Sequence, residues 1–161
     1  MLGKASRSGD FGLASKRMRL TRRSVLTLIA LSIAACGGAM STLHTLRPAT
    51  GSGAIDFEVQ NGTGEAINSI YMAKTEVVSA AIEKKLEPGS PAEEQVWGGD
   101  ILERGALQVN DTLKVPVPDP GKWDVKVVDR DGRYQHIAGL KLGPGGKYRL
   151  ELGDGGWRLP Q

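Results

Sequence analysis

Trp123-Asp124-Val125-Lys126-Val127-Val128-Asp129-Arg130-Asp131-Gly132 is the stretch that sets the period of this chain. Trp123, Val125 and Val127 alternate with Asp124 and Lys126, so the apolar three face one interior, as in a strand with one buried side. Asp131-Gly132 then reads as a hairpin turn, because Gly accepts positive φ without steric cost and a second extended segment, Tyr134 to Leu142, follows at once. One strand, one turn and one returning strand are written in about twenty residues.

The same period recurs on both sides. Ile55, Phe57 and Val59 alternate with Asp56, Glu58 and Gln60, and Asn61-Gly62-Thr63-Gly64 supplies turn residues before Ala66 to Met72 resumes an extended pattern, which predicts a hairpin. Leu107 with Val109, Leu113-Val115-Val117 and Tyr148-Leu150-Leu152 are further short extended segments. Pro116 and Pro118 cannot donate to a ladder, which places the Leu113 strand at a sheet edge or ends it early. Short strands punctuated every eight to twelve residues predict an all-β fold, a single small antiparallel β-sandwich of immunoglobulin-like or similar kind over residues 54–161. The exception lies near 75–87, where Val78, Ala81, Ile82 and Leu86 recur at helical spacing after Thr75 as a cap and before Pro88-Gly89 as a stop. Ser90 to Gln95 reads as an acidic loop, and the whole excursion is expected to pack on a rim of the sheets.

Upstream the pattern is different in kind. Lys16, Arg17, Arg19, Arg22 and Arg23 precede an apolar run from Val25 to Ala35 that ends in Ile33-Ala34-Ala35-Cys36, the basic, apolar and small-residue order of a signal peptide closed by a lipoprotein processing box. The run is shorter than the roughly 20 residues that span a bilayer, and polar sequence follows it. Residues 1–35 are therefore expected to be removed, with Met18 offering a second start, and Cys36 to carry a diacylglyceryl group as the new N-terminus. Thr21-Arg22-Arg23-Ser24-Val25-Leu26 also resembles a twin-arginine export motif, although Val25 stands where Phe is preferred. Gly37 in place of Asp favours the outer membrane over the inner where a cell has two. Gly37 to Gly53 has linker composition and reads as a flexible tether, its 17 residues reaching about 22 Å. His44 within it reads as solvated.

Charge and cysteine usage narrow the partners. Of 21 Lys and Arg, seven lie in residues 1–36 beside one of the 18 acidic residues, which leaves 14 basic against 17 acidic side chains in residues 37–161. The basic excess belongs to the leader, so a nucleic-acid face is not expected. Cys36 is the sole cysteine, and with it spent on lipid the domain has no disulfide.

Three ordered motifs carry a family resemblance: Asn61-x-Thr63-Gly64-x-x-Ile67-x-x-Ile70-Tyr71, Trp97-Gly98-x-Asp100-x-Leu102, and Trp123-Asp124-Val125-Lys126-Val127-Val128-Asp129-x-Asp131-Gly132. Over roughly residues 55–152 the chain resembles a group of small uncharacterised bacterial exported proteins that bear Tat or Sec signals. The resemblance implies architecture and export, and no reaction. This chain has a longer connection between the Tyr segment and the Trp-Gly motif, and it lacks the family's cysteines near the Trp-Asp strand and the C-terminus.

The chemistry-bearing residues point to binding more than to catalysis. Asp129-Arg130-Asp131-Gly132 has the start of a calcium loop without its distant Glu, so a turn is expected and no metal or other cofactor. Trp97, Trp123 and Tyr134 suit either core packing or a platform for a sugar ring, with Trp97, beside Gly98 and Gly99, the least constrained and open to exposure. Asp100 in Trp97-Gly98-Gly99-Asp100 is placed to order its own loop through backbone amides, or to meet a partner. His136 is the one histidine of the domain and no nucleophile elbow accompanies it, so a hydrogen-bonded or surface imidazole is expected. Asp100 and Asp124 as a glycosidase pair would be the route to a hydrolase, a third-placed reading. The expectation is a lipid-anchored cell-envelope protein facing the periplasm, a non-enzymatic binding, assembly or structural module. Its partner is an envelope protein, or alternatively a carbohydrate such as peptidoglycan, met through Trp97 to Asp100 or Tyr134.

Overall fold

A computed structural model of the chain describes residues 38–86 and 90–159. The leader and lipidation residues Arg22, Arg23, Ile33, Ala34, Ala35 and Cys36, and the Pro88-Gly89 stop, lie outside the described residues.

Seven strands and two short helices make up the described chain: β1 (Thr42–Arg47), β2 (Asp56–Asn61), β3 (Ile67–Lys74), α1 (Thr75–Glu83), α2 (Pro91–Trp97), β4 (Thr112–Val115), β5 (Gly121–Asp129), β6 (Tyr134–Leu142) and β7 (Lys147–Leu152). They form a four-stranded sheet in the order β1-β7-β2-β4 and a three-stranded sheet in the order β3-β5-β6, a β-sandwich-like arrangement. Alternation decides the faces. Phe57 and Val59 of β2, Leu150 and Leu152 of β7, Ile70 of β3, and Val125 and Val127 of β5 are all buried in one shared core, with Trp123 beside them. Trp123 thus faces inward, its indole N–H donating to the Asp119 carbonyl at 3.1 Å. β4 lies at a sheet edge, as Pro116 and Pro118 require.

The arrangement corrects the sequence reading in four places. The sandwich is not purely antiparallel. β7 leaves the three-stranded sheet after β6, crosses to the other and enters between β1 and β2, so it runs parallel to β2 from Asp56↔Lys147 to Asn61↔Leu152. β2 and β3 are not a hairpin either, since they belong to different sheets. The cause is Asn61, fully buried at the end of β2. Its amide donates to the carbonyls of Glu65 and Leu107, and its carbonyl accepts from the Thr63 N–H and hydroxyl, which uses all its hydrogen-bonding capacity and carries the chain over the core.

The presumed tether is the third correction. Within residues 37–53, Thr42 to Arg47 pairs antiparallel with β7, and His44 lies 3.1 Å from Glu151 instead of standing alone. The docking begins before the strand, at Ala39, whose carbonyl accepts from Gly155 N–H, and at Ser41, whose hydroxyl accepts from Gly153 N–H and donates to Gln135. Backbone pairing makes this strand, because only Leu43 meets the core.

Fourth, the helical excursion contains two helices and covers the outer face of the three-stranded sheet. Ser90 accepts from Glu93 N–H at 3.2 Å and Pro91 occupies the first turn, so the acidic segment read as a loop is a capped helix. Thr75 opens α1 but does not cap it. Its hydroxyl donates instead to Asp124 across the sheet. Val78 and Trp97 pack with Ala73 in a second cluster distinct from the sandwich core. Trp97, which the sequence left open to either packing or exposure, is buried, at 7 % exposed.

Candidate functional site

The outer face of the three-stranded sheet is where polar chemistry and open volume coincide. Registration places Ala73 opposite Asp124, Tyr71 opposite Lys126, Lys126 opposite His136 and Val128 opposite Tyr134, which gathers these side chains on the face that the helices roof. Between helices and sheet lies a groove of about 500 Å³. Its apolar lining comes from Val78, Ala81, Ile82, Leu86, Val96 and Trp97 above and Val128 below, and its polar lining from Glu93, Lys126, Tyr134, His136 and Arg158.

Asp124 organises one side of the site. The pairing of β5 with β6 slips between Trp123↔Leu140 and Val125↔Ile137, so Asp124 faces an extra residue, and Gly139 supplies the positive φ of 70° that the bulge needs. That bulge aims the Gly139 N–H at Asp124 Oδ1, 2.8 Å away. Thr75 Oγ1 donates to the same oxygen at 2.6 Å, and His136 Nε2 lies 2.7 Å from Oδ2. A carboxylate with three donors accepts, which assigns the Nε2 proton to His136. The order is hydroxyl, carboxylate, imidazole, with the carboxylate in the middle. This differs from the hydroxyl–imidazole–carboxylate order of a Ser-His-Asp triad.

Lys126 is the second organiser. Its ammonium bonds Glu93 at 2.7 Å, tying α2 to β5, and stands 5.8 Å from the Trp97 ring and 5.5 Å from the Tyr134 ring. Trp97 in turn meets His136 edge to face, ring centroids 5.3 Å apart. The cation and the two aromatics thus form one connected wall. Trp123 is on the opposite face of the same sheet, so the three aromatics do not make a single platform.

The Trp97-Gly98-Gly99-Asp100 segment is ordered from within through Asp100. Gly98 ends α2 at a φ of 74°, and Asp100 Oδ1 accepts from Ile70 N–H at 2.9 Å and from Leu102 N–H at 3.0 Å. Ile101 N–H adds a bond to the Ile70 carbonyl at 2.8 Å. The loop is laced to β3, its carboxylate turned to backbone. Asp100 borders a smaller cavity of about 270 Å³ that shares Glu93, Trp97 and Lys126 with the groove.

The Asp129 carboxylate is likewise spent on its own turn. It accepts from the Asp131 and Arg133 N–H groups, each at 2.9 Å, and from Arg133 Nε at 2.6 Å. That hydrogen bond, with the charges of Asp129, Glu65 and Asp131, holds the Arg133 guanidinium above its ordinary range.

Sequence reasoning named Tyr134 as a possible binding residue and His136 as a surface or hydrogen-bonded imidazole, of which the structure shows the hydrogen bond, but it missed Lys126, Glu93 and Thr75. Lys126 was legible in principle as the outward residue between Val125 and Val127. Comparison with family models, with curated proteins and with solved structures gives no match to the chain. Among the described residues no helix is long and apolar enough to cross a membrane.

Proposed function

We propose that this chain is a lipid-anchored cell-envelope protein whose β-rich domain is a non-enzymatic binding module, and that its ligand enters the groove between the two helices and the three-stranded sheet. The observation that carries the binding reading is the groove itself, an apolar lining with a polar wall in which Lys126 is held by Glu93 and His136 by Asp124 behind it. The anchoring reading rests on the Ile33-Ala34-Ala35-Cys36 box behind a basic and apolar leader. An envelope protein segment is the favoured ligand, since Ile82 at the groove is 63 % exposed and an apolar side chain entering there would cover it. A finer statement of the fold goes with this reading. The pairing of β2 with β4 and of β3-β5-β6 has the pattern of strands B, E and C, F, G in an immunoglobulin-like sandwich, with β7 as an added strand.

Two measurements test it. Labelled palmitate should enter the wild-type protein and not the Cys36→Ala variant. A photo-crosslinking residue at Ile82 should give one discrete protein adduct in living cells, and an adduct dissolved by a muramidase would instead establish the glycan reading. No adduct at Ile82 or at Arg158 would remove the groove as a binding site.

A further inference from the structure

We propose that one end of the sandwich, bearing Met40, the Asp129–Arg133 turn and Trp157 to Leu159, rests directly on the phospholipid surface. The inference builds on the acylation of Cys36 and adds an orientation and a membrane-contact face to it.

Chain length makes the first part of the argument. Ala39 is already fixed by the bond from Gly155 N–H at 2.9 Å, and Ser41 by the bond from Gly153 N–H at 3.1 Å. Only Gly37 and Gly38 separate Cys36 from Ala39, and three residue steps span about 10 Å when fully extended. A lipidated Cys36 therefore leaves no room for a tether. The domain is held at the bilayer by the end at which Ala39 enters it.

Strand register identifies that end. Thr42 opens β1 opposite Glu151, Asn61 closes β2 beside Leu152, and Ile67 opens β3 opposite Asp129. The 129–133 turn and the residues after Leu152 are there too. Met40 is 68 % and Leu159 72 % exposed, the two most exposed of the large apolar side chains among the described residues. Single exposed apolar side chains need no explanation, but these two share their end with Trp157, partly buried against the core and of a residue type that favours the headgroup level. Arg130 and Arg158 are exposed at the same end and so are Asp111 and Asp131, while Glu65 and Asp154 there are engaged by Arg133 and by Gly64 N–H, so this end has no basic excess and its draw to a bilayer is apolar. Apolar tips at Met40 and Leu159 with an indole at the same end match a surface of acyl chains beneath headgroups. Because Gly132 and Arg158 also line the groove, that part of its rim lies near the headgroups.

The test uses the processed, acylated protein beginning at Cys36 in vesicles of phosphatidylethanolamine and phosphatidylglycerol, its acylation verified by mass. Leu159→Cys, Met40→Cys and Asp119→Cys each supply a single free thiol for a fluorophore, and a nitroxide lipid serves as quencher. Asp119 precedes β5 at the opposite end. Quenching at 159 and 40 should exceed that at 119 by about threefold or more. Equal quenching at the three positions, or stronger quenching at 119, on acylated protein overturns the orientation while leaving the anchor intact. An unacylated mass refutes the anchoring reading itself, and this inference with it.

Discussion

His136 Nε2 lies 2.7 Å from Asp124 Oδ2, and only 3 % of the aspartate side chain is exposed. Three donors converge on that carboxylate from two elements: α1 through Thr75, and β6 through His136 and, at its bulge, Gly139. Removing the acceptor takes the partner from a half-buried hydroxyl, imidazole and backbone N–H. Asp124→Ala should lower the unfolding free energy by about 3 kcal/mol, the cost of losing charge-assisted bonds in a buried setting. Thr75→Ala should cost only about 1 kcal/mol. Urea denaturation of the two variants checks the ranking, and equal losses would contradict it.

Asp100 presents a simpler case, since its Oδ1 is the acceptor for Ile70 N–H and Leu102 N–H. Asp100→Ala should destabilise the domain by about 2 kcal/mol and Asp100→Asn by much less, because the amide oxygen can accept both bonds. If the alanine variant melts like wild type, the lacing of this loop to β3 has no energetic weight.

How far these contacts were legible depends on period. Strands β5, β6 and β7 announce themselves through alternation such as Trp123, Val125 and Val127, and the edge position of β4 through Pro116 and Pro118. β1 has no such signature, because backbone pairing with β7 makes it a strand while only Leu43 reaches the core. For α2 a signal existed in Ser90-Pro91-Ala92-Glu93, a cap followed by a first-turn proline and an acid three residues on, hidden by a composition that also suits a loop. The site was out of reach for another reason: Glu93 meets Lys126 across 33 positions and Thr75 meets Asp124 across 49, and local pattern carries no information about such pairings.

Trp97 belongs with Ala73 and Val78 to a cluster separate from the sandwich core. Trp97→Ala should therefore release the helices without unfolding the sheets. The full cost of truncating a buried tryptophan, about 3 to 5 kcal/mol, falls on the docking of α1 and α2. Hydrogen exchange should accelerate across residues 75–97 and remain slow at Val125, Val127 and Leu150. Uniform acceleration through both sheets would show that the two clusters form one cooperative unit.

The N-terminal segment gives the most direct separation between a tether and a strand. Gly153 has backbone dihedrals open to any residue, yet a methyl group there would run into the Ala39 carbonyl, so its smallness serves the close approach of Ala39 to the turn after β7. Gly153→Ala should push residues 39–41 away, break the bonds to Ser41 Oγ and Ala39 O, and cost about 1 to 3 kcal/mol as an overpacked contact. A protein lacking residues 38–47 should lose stability as well, because β7 then exposes its edge and Leu43 leaves the core. In that shortened background the alanine at 153 has nothing left to strike, and its added cost should vanish. Thermal melts of the four proteins complete this double-mutant cycle. A penalty for Gly153→Ala of equal size in both backgrounds would mean that the clash is not with the N-terminal segment, and that Thr42 to Arg47 is not held where the pairing with β7 places it.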